Sequence, residues 1–529
     1  VFSRRDFLRT SVMVAVLLEK NLLCFGSASE EVFPQGVASG DPTTDGIILW
    51  TRINPEVLKI LKRDLVLQIS ESPEFKNAFT GKISYDQISE KDDFTVRIDL
   101  KGRLKPNTLY FYRFLYADIP SLTGKFKTLP LSTDKLSFAT VVCQNYPDGY
   151  YTAFRYLSNE DIAFIIHLGD FIYEKIYGKP RVPDRAIKLP SGSDICLDIN
   201  DYRYLYRMYI SDPDLKLARA MHPFIYTWDD HEFLNDYYYD YERKVWGYFT
   251  SHPYGRDREK ILNLRKDAIK AWLEYIPSRV VFNLRDRDPL SWIRLYRALS
   301  VGNLCDFLIT DLRTYRDKQP CKGRFGVPGC PDQNKTSILG KDQRTWLLRK
   351  LANSKASWII LVSSVQFSQS LTDGKFGSLD AWDGYRKERD LLLRTIKEKG
   401  SKNLIVVSGD RHASLVAEIV DNYEMPKEVL GAEFMTPAIS SINAREGGWW
   451  KRNWPQYSTL EDFQRAEMTQ NPWIKHINSI NCWGYTVVNI SDKKVVTIIY
   501  SVDKYSKDSE KTIDGKFVYS QGKLISEIS

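Results

Sequence analysis

The sequence predicts an α/β domain behind a small all-β domain, and three observations carry that prediction. Residues 33–128 hold short runs rich in β-branched and aromatic residues, separated by turn signals. From about residue 136, runs with the length of buried strands alternate with amphipathic helical stretches, the pattern of an α/β architecture. Six of those runs end abruptly in residues able to bind metal or hold a phosphate. They are LSFATVVC at Cys143, IAFIIHLGD at Asp170, PFIYTWDDH at Asp230 and His231, CDFLITDLR at Asp311 and Arg313, ASWIILVSSVQ at Gln366, and NLIVVSGDRH at Asp410 and His412. Ligands of open α/β sheets bind beyond the carboxyl ends of the strands. Groups scattered from Cys143 to His412 are therefore expected on one rim, as a hydrolytic metal site.

At 529 residues the chain is too long for one core and calls for two domains plus insertions. Its 43% hydrophobic and 27% charged residues describe an ordinary folded protein. A net charge of +8 suits an anionic substrate. Lys and Arg are interspersed with acids rather than blocked, which argues against a nucleic-acid partner.

In chain order, residues 1–30 read first as an export signal. Ser3-Arg4-Arg5-Asp6-Phe7-Leu8 has the twin-arginine pattern, Val12 to Leu18 is apolar, and Gly26-Ser27-Ala28 offers small residues for cleavage. Glu19 and Lys20 interrupt the apolar run, so an amphipathic helix with a chance arginine pair is the competing reading. The twin-arginine translocase carries folded proteins, which suits an enzyme that loads metal before crossing; the periplasm or the outside is the expected destination. No later stretch is apolar over a bilayer-spanning length. Within 31–130, GIILWTRI, DLVLQIS, FTVRIDL, TLYFYRFLY and GKFKT give a small β-sandwich, immunoglobulin- or fibronectin-like. Leu129-Pro130-Leu131-Ser132-Thr133 links it to a catalytic domain over 135–529. There TAFRYLSN, KDQRTWLLRKLANS and YRKERDLLLRTIKEKG have helical periodicity. Insertions at 174–220, 237–300 and 440–480 either shape a pocket or pack outside, the last carrying Gly447-Gly448-Trp449-Trp450. GYTVVNISD and VVTIIYSVD return to β. Of seven cysteines, Cys24 is expected to leave with the signal, and Cys321 and Cys330, bracketing KGRFGVPG, are the best disulfide candidates.

Each candidate site residue has a structural competitor. Asp170, after Gly169, is costly to bury unless paired or bound to metal. Tyr173 reaches the same ion if the chain turns; alone it is an ordinary half-buried tyrosine. In Trp228-Asp229-Asp230-His231-Glu232, Asp229 reads equally as a helix N-cap. Asp230 beside His231 can hold metal and protonate a leaving group. Asn235 lies one turn onward if a helix begins there. The Asp410-x-His412 pair can address one ion each or the same ion. Cys143 is either an inert buried cysteine or a thiolate ligand, which demands a metal that keeps it deprotonated. Arg313 and Arg316 can fork onto phosphate oxygens, with a salt bridge to Asp311 as the equal competitor. No Walker loop, G-x-S-x-G elbow or Cys-x-x-Cys is present.

Together these motifs resemble those of the PhoD-type alkaline phosphatases and phosphodiesterases, a branch of the calcineurin-like metallophosphoesterases. The likeness begins with the twin-arginine leader, FPQGVASGDP from Phe33 to Pro42, and Leu49-Trp50-Thr51-Arg52. It continues through Cys143-Gln144 with Gly149-Tyr150, His167-Leu168-Gly169-Asp170, Trp228-Asp229-Asp230-His231-Glu232 and Asp380-Ala381-Trp382-Asp383-Gly384-Tyr385. Ser408-Gly409-Asp410-Arg411-His412 and Glu433-Phe434-Met435-Thr436-Pro437 complete it.

The resemblance implies a four-layer αββα metallophosphoesterase core behind a fibronectin-like β-sandwich. It implies ferric iron on Cys143, Asp170, Tyr173 and His412. Asp170 would bridge to calcium, and Asp410 with Asn235 or Asp230 would complete the calcium side. Thiolate, phenolate and imidazole suit iron(III), whereas calcium takes carboxylate and amide oxygens. Metal-assisted in-line hydrolysis of a phosphate ester, without a phosphoserine intermediate, is implied. His231 would assist the leaving alkoxide and Arg313 would grip the phosphate. A phosphodiesterase of phospholipase D type, acting on lipid or wall polymer, is the close alternative. A catalytically silent binding protein would show eroded ligand positions, and none is eroded. The chain departs from the family at Phe233-Leu234-Asn235-Asp236, Asn471-Pro472-Trp473 and Asn481-Cys482-Trp483-Gly484-Tyr485. The last two departures are expected to bear on substrate access.

Overall fold

A computed structural model describes residues 25–249, 251–322, 326 and 335–527. Two mixed β-sheets face each other at its centre. In a ten-stranded sheet, Lys135–Val141, Ile165–His167 and Pro223–Tyr226 run parallel, and Gly484–Ser491, Val495–Val502, Lys511–Ser520 and Lys523–Ser526 extend it as an antiparallel meander. In a seven-stranded sheet, Cys305–Ile309, Trp358–Val362, Leu404–Ser408 and Val429–Met435 run parallel. Arg297–Val301 and Ser414–Val420 flank them antiparallel, and Ile474–Asn478 pairs antiparallel with Ser414–Val420 at the edge. The six strands that end in candidate ligands thus divide three and three between facing sheets, where one rim had been expected.

Period-2 alternation explains the second sheet's burial on both faces. Phe307, Ile309, Ile360, Val362, Ile405 and Val407 enter the core shared with the ten-stranded sheet, where Phe307 meets Phe138 edge-on at 5.2 Å. Leu308, Ile359, Leu361, Leu404 and Val406 enter a second core instead. Gly340–Asn353 and Arg386–Glu398 contribute to that second core; in the latter, Arg389, Leu392, Leu393 and Ile396 form the buried stripe at helical spacing. Within the first insertion, Ile199–Ile210 and Pro213–Met221 are helices. Asp212 starts the second by accepting the N–H groups of Asp214 and Leu215, with Pro213 at the first turn.

The N-terminal β region does not stand apart from this core. Leu65–Ser70, Phe79–Ile83, Leu109–Tyr116, Ile119–Pro120 and Gly124–Lys127 form a separate five-stranded sheet. Val37–Gly40, Ile48–Arg52 and Thr95–Asp99, however, are the last three strands of the ten-stranded sheet. Val37–Gly40 pairs in parallel with Pro223–Tyr226, Ser39 opposite Pro223. Leu49 and Val96 then pack with Leu67 and Tyr112 in a core of their own.

Among the described residues, no helix is long and apolar enough to cross a membrane. The predicted twin-arginine motif lies outside the described residues, and Gly26-Ser27-Ala28 fall in the helix Phe25–Val32. Cys321 is disulfide-bonded, and Cys330 lies outside the described residues.

Candidate metal centre and active site

Cys143, Asp170, Asp410 and His412 all adopt the left-handed backbone region, at φ 52°, 56°, 70° and 54°. Non-glycine residues stay there only when their surroundings hold them, and such conformations gather at functional sites. Local sequence makes the turn before Asp170 feasible. Gly169 has φ 122°, and a Cβ there would sit 2.4 Å from the backbone nitrogen of Asp229. Glycine therefore lets the Asp170 loop meet the Asp229–His231 loop. Glu232 fastens the two together, its carboxylate accepting the N–H groups of Asp170 at 3.0 Å, Phe171 at 2.7 Å and Asp229 at 2.9 Å.

The predicted ligands converge. Cys143 Sγ donates to Asp170 Oδ2 at 3.4 Å, and Tyr173 Oη donates to the same oxygen at 3.0 Å while lying 3.3 Å from His412 Nε2. His412 Nδ1 donates to the carbonyl of Ile442, which directs Nε2 into the cluster. Ligand atoms of Cys143, Asp170 and His412 lie within 4.8 Å of one another, as do those of Asp170, Asp230 and His231, and those of Asp229, Asp230 and Asp410. Asp170 and Asp230 thus each belong to two groups, and Asp410 and His412 address different ones. Asn235 lines the same cavity, its backbone N–H bonded to Glu174 Oε1 at 3.0 Å. No helix begins at His231; residues 231–236 form turns, and Asp229 caps nothing. The Asp236 N–H donates to Asp230 Oδ2 at 2.7 Å, leaving Asp230 Oδ1 buried without a hydrogen-bond partner.

Electrostatics set these groups against one another. Burial holds the Asp170 carboxyl well above the usual range, and Asp230, Asp229 and Glu232 add to this against the pull of His231. Burial also pushes the Cys143 thiol and the Tyr173 phenol up, with Asp170 adding to both. An orphaned buried carboxylate oxygen, crowded acids and a thiol–phenol–imidazole donor set fit a bound cation. Asp230 differs: burial raises it, but Arg313 and His231 bring its carboxyl down to about 2. His231 is raised well above the usual imidazole range despite burial, because Glu174, Asp230 and Asp170 surround it. Its Nδ1 donates to Glu174 Oε2 at 2.7 Å, its ring stacks on Tyr173 at 4.1 Å, and it lines the cavity.

Arg313 occupies a different place from the expected one. It is fully buried and does not line the cavity. Nε and Nη2 fork onto Asp229 at 2.5 and 2.8 Å, Nη1 donates to Asp380 at 2.6 Å, and Asp230 and Asp410 each stand 3.6 Å from Nη2. The guanidinium is committed to carboxylates, so the expected grip on phosphate is corrected to charge compensation behind the site. Arg316 likewise holds Asp380, at 2.6 Å. In each case the partner is an aspartate far away in sequence, where Asp311 had been the expected one.

The cavity measures about 900 Å³. Its walls include Tyr177, Lys179 and Arg181 from the first insertion, Trp449 and Arg452 from the third, and Arg411. Sequence reasoning missed these cations, as it missed Glu174 and Glu232, because single charges in loops and in a five-residue helix such as Trp449–Asn453 carry no period. Trp473 was expected to bear on access but packs in the second core against Tyr423 at 5.0 Å.

Comparison with known proteins meets this geometry. The models for "PhoD-like phosphatase" and "PhoD-like phosphatase, N-terminal domain" match residues 138–498 and 21–130. Alkaline phosphatase D of Bacillus subtilis (strain 168) is 32% identical over 424 residues, spanning 77% of this chain and 69% of that protein. A solved structure of PhoD aligns at a TM-score of 0.80 and 28% identity, covering 94% of this chain and 92% of its own. The chain therefore belongs to the PhoD-like phosphatase family and is, by that membership, a phosphoesterase.

Proposed function

We propose that this protein is an exported, metal-dependent hydrolase of phosphate esters. The observation that carries the reading is the convergence of Asp170, Tyr173 and His412 with Asp230, Asn235 and Asp410 on one cavity that His231 also lines, with the buried Cys143 thiol reaching Asp170 from behind. Cys143, Asp170, Tyr173 and His412 would hold ferric iron, which suits thiolate, phenolate and imidazole donors. Asp170, Asp410 and either Asp230 or Asn235 would hold calcium through oxygen. Ions held by these residues would supply charge neutralisation at the phosphoryl group and activation of the attacking oxygen. His231 supplies the proton for the leaving alkoxide from Nε2, since Nδ1 is committed to Glu174. Arg313 stabilises the carboxylates from behind. No phosphoserine forms in this scheme. The reading includes a four-layer αββα core with a fibronectin-like front domain, and export by the twin-arginine translocase to the periplasm or beyond.

A second reading, a phosphodiesterase acting on lipid or wall polymer, is favoured by the cavity volume of about 900 Å³, which leaves room for groups on both sides of a phosphate. Hydrolysis of p-nitrophenyl phosphate and bis(p-nitrophenyl) phosphate tests both. Nitrophenol release that is lost on chelation and restored by iron and calcium is expected, and the preferred ester separates the readings. No release from either ester by the metal-loaded protein would sink both.

A further inference from the structure

We propose that Ser441 is a positioning residue that donates a hydrogen bond to the phenolate of Tyr173 and so sets its donor strength toward the bound metal. This rests on the iron site proposed above. Ser441 is 1% exposed, and its Oγ lies 2.7 Å from Tyr173 Oη, 2.9 Å from the Cys143 carbonyl and 3.0 Å from the Asn145 nitrogen. The Asn145 N–H donates to Oγ, so the single hydroxyl proton has two possible acceptors. The Cys143 carbonyl already accepts the backbone N–H groups of Ser440 at 3.4 Å and Ser441 at 3.3 Å. The phenol oxygen is nearer and is left to take the proton.

The segment around Ser441 is pinned on both sides. Lys504 Nζ donates to the Ser440 carbonyl at 2.8 Å, Trp483 Nε1 donates to the Ser441 carbonyl at 3.0 Å, and the Ile442 carbonyl holds His412. Three successive carbonyls thus fix one hydroxyl and one imidazole toward the same cluster. Protonated Tyr173 donates to Asp170 and accepts from Ser441. As a metal-bound phenolate it can no longer donate, but the bond from Ser441 remains and strengthens, since hydrogen bonds to charged acceptors are roughly twice as strong as neutral ones. Such a bond draws electron density from the oxygen, weakens its donation and raises the energy of phenolate-to-iron charge transfer. The residues Ser440-Ser441-Ile442 match no motif, which is why sequence alone is silent here.

The test is the visible absorption of purified full-length wild type, Ser441→Thr, Ser441→Cys and Ser441→Ala, each with its iron content measured. Threonine keeps the hydroxyl and should keep the wild-type band. Cysteine, a weak donor close to serine in size, and alanine should move the band progressively to longer wavelength at equal iron. Bands of the cysteine and alanine variants that superimpose on wild type would overturn the proposal. If the alanine variant is not recovered folded, cysteine against threonine decides. Iron lost from alanine and cysteine but kept by threonine supports the hydroxyl's role, and iron lost from all three contradicts it. Iron-loaded wild type without a tyrosinate band overturns the iron–phenolate reading itself, a result visible before any substitution.

Discussion

Asp170 shares one ligand group with Cys143 and His412 and another with Asp230 and His231, so a change there touches both halves of the site. Asp170→Asn keeps the volume and removes the charge. Turnover should fall to background while the unfolding midpoint holds or rises, because burial and neighbouring acids disfavour the Asp170 charge. Unchanged turnover would sink the site assignment. Arg313→Met should instead unfold the protein more easily, by about 3–5 kcal/mol as when a buried charge loses its partner. Urea titration of metal-depleted protein reads this; weakened substrate affinity with unchanged stability would restore a direct grip on phosphate. Asp170, Asp410 and His412 were legible in sequence because a strand pattern and a glycine precede polar residues. Glu232 was not, because its three backbone partners include Asp170 and Phe171, brought near only by the fold.

The strand Ile165–His167 carries a pH dependence of its own. His167 Nδ1 accepts the Gly169 N–H at 3.3 Å, which leaves the proton on Nε2, 3.2 Å from Gln144 Oε1. Burial, helped by the Arg219 charge, lowers this imidazole from 6.5 to about 3. The unfolded chain binds a proton below about 6.5 and the folded chain does not until about 3, so stability falls as pH falls through that window. His222, lowered to about 4 by burial, acts in the same direction. Buried carboxyls held above their usual range, such as Glu232 at about 7, act in the opposite direction, so the test is differential. On acidification below pH 6.5 the urea midpoint of wild type should lose more than that of His167→Gln, and parallel profiles would contradict the assignment. Among elements, amphipathic helices such as Arg386–Glu398 and alternating strands such as Leu109–Tyr116 were plain in sequence. Ser414–Val420 follows the site motif without a turn signal, and Lys511–Ser520 is half polar, so neither announces itself.

Three strands of the N-terminal region complete the ten-stranded sheet, and this joins what the sequence separates. Asp41, just after the pairing strand, bonds Ser278 Oγ at 2.9 Å and Arg297 Nη2 at 2.8 Å. Strand partners are set by distant chain, so the elements were readable and their sharing of one sheet was not. The whole chain should therefore unfold in a single calorimetric transition, and residues 135–529 alone should aggregate through the bared edge of Pro223–Tyr226. Two separated transitions would contradict the shared sheet. For function, the most direct measurement is metal content per chain of purified full-length wild type and Cys143→Ser. The predicted result is about one iron per chain with calcium in the wild type, and iron depleted in the variant while calcium remains. A zinc or manganese pair, bound equally by both proteins, would contradict the proposed centre.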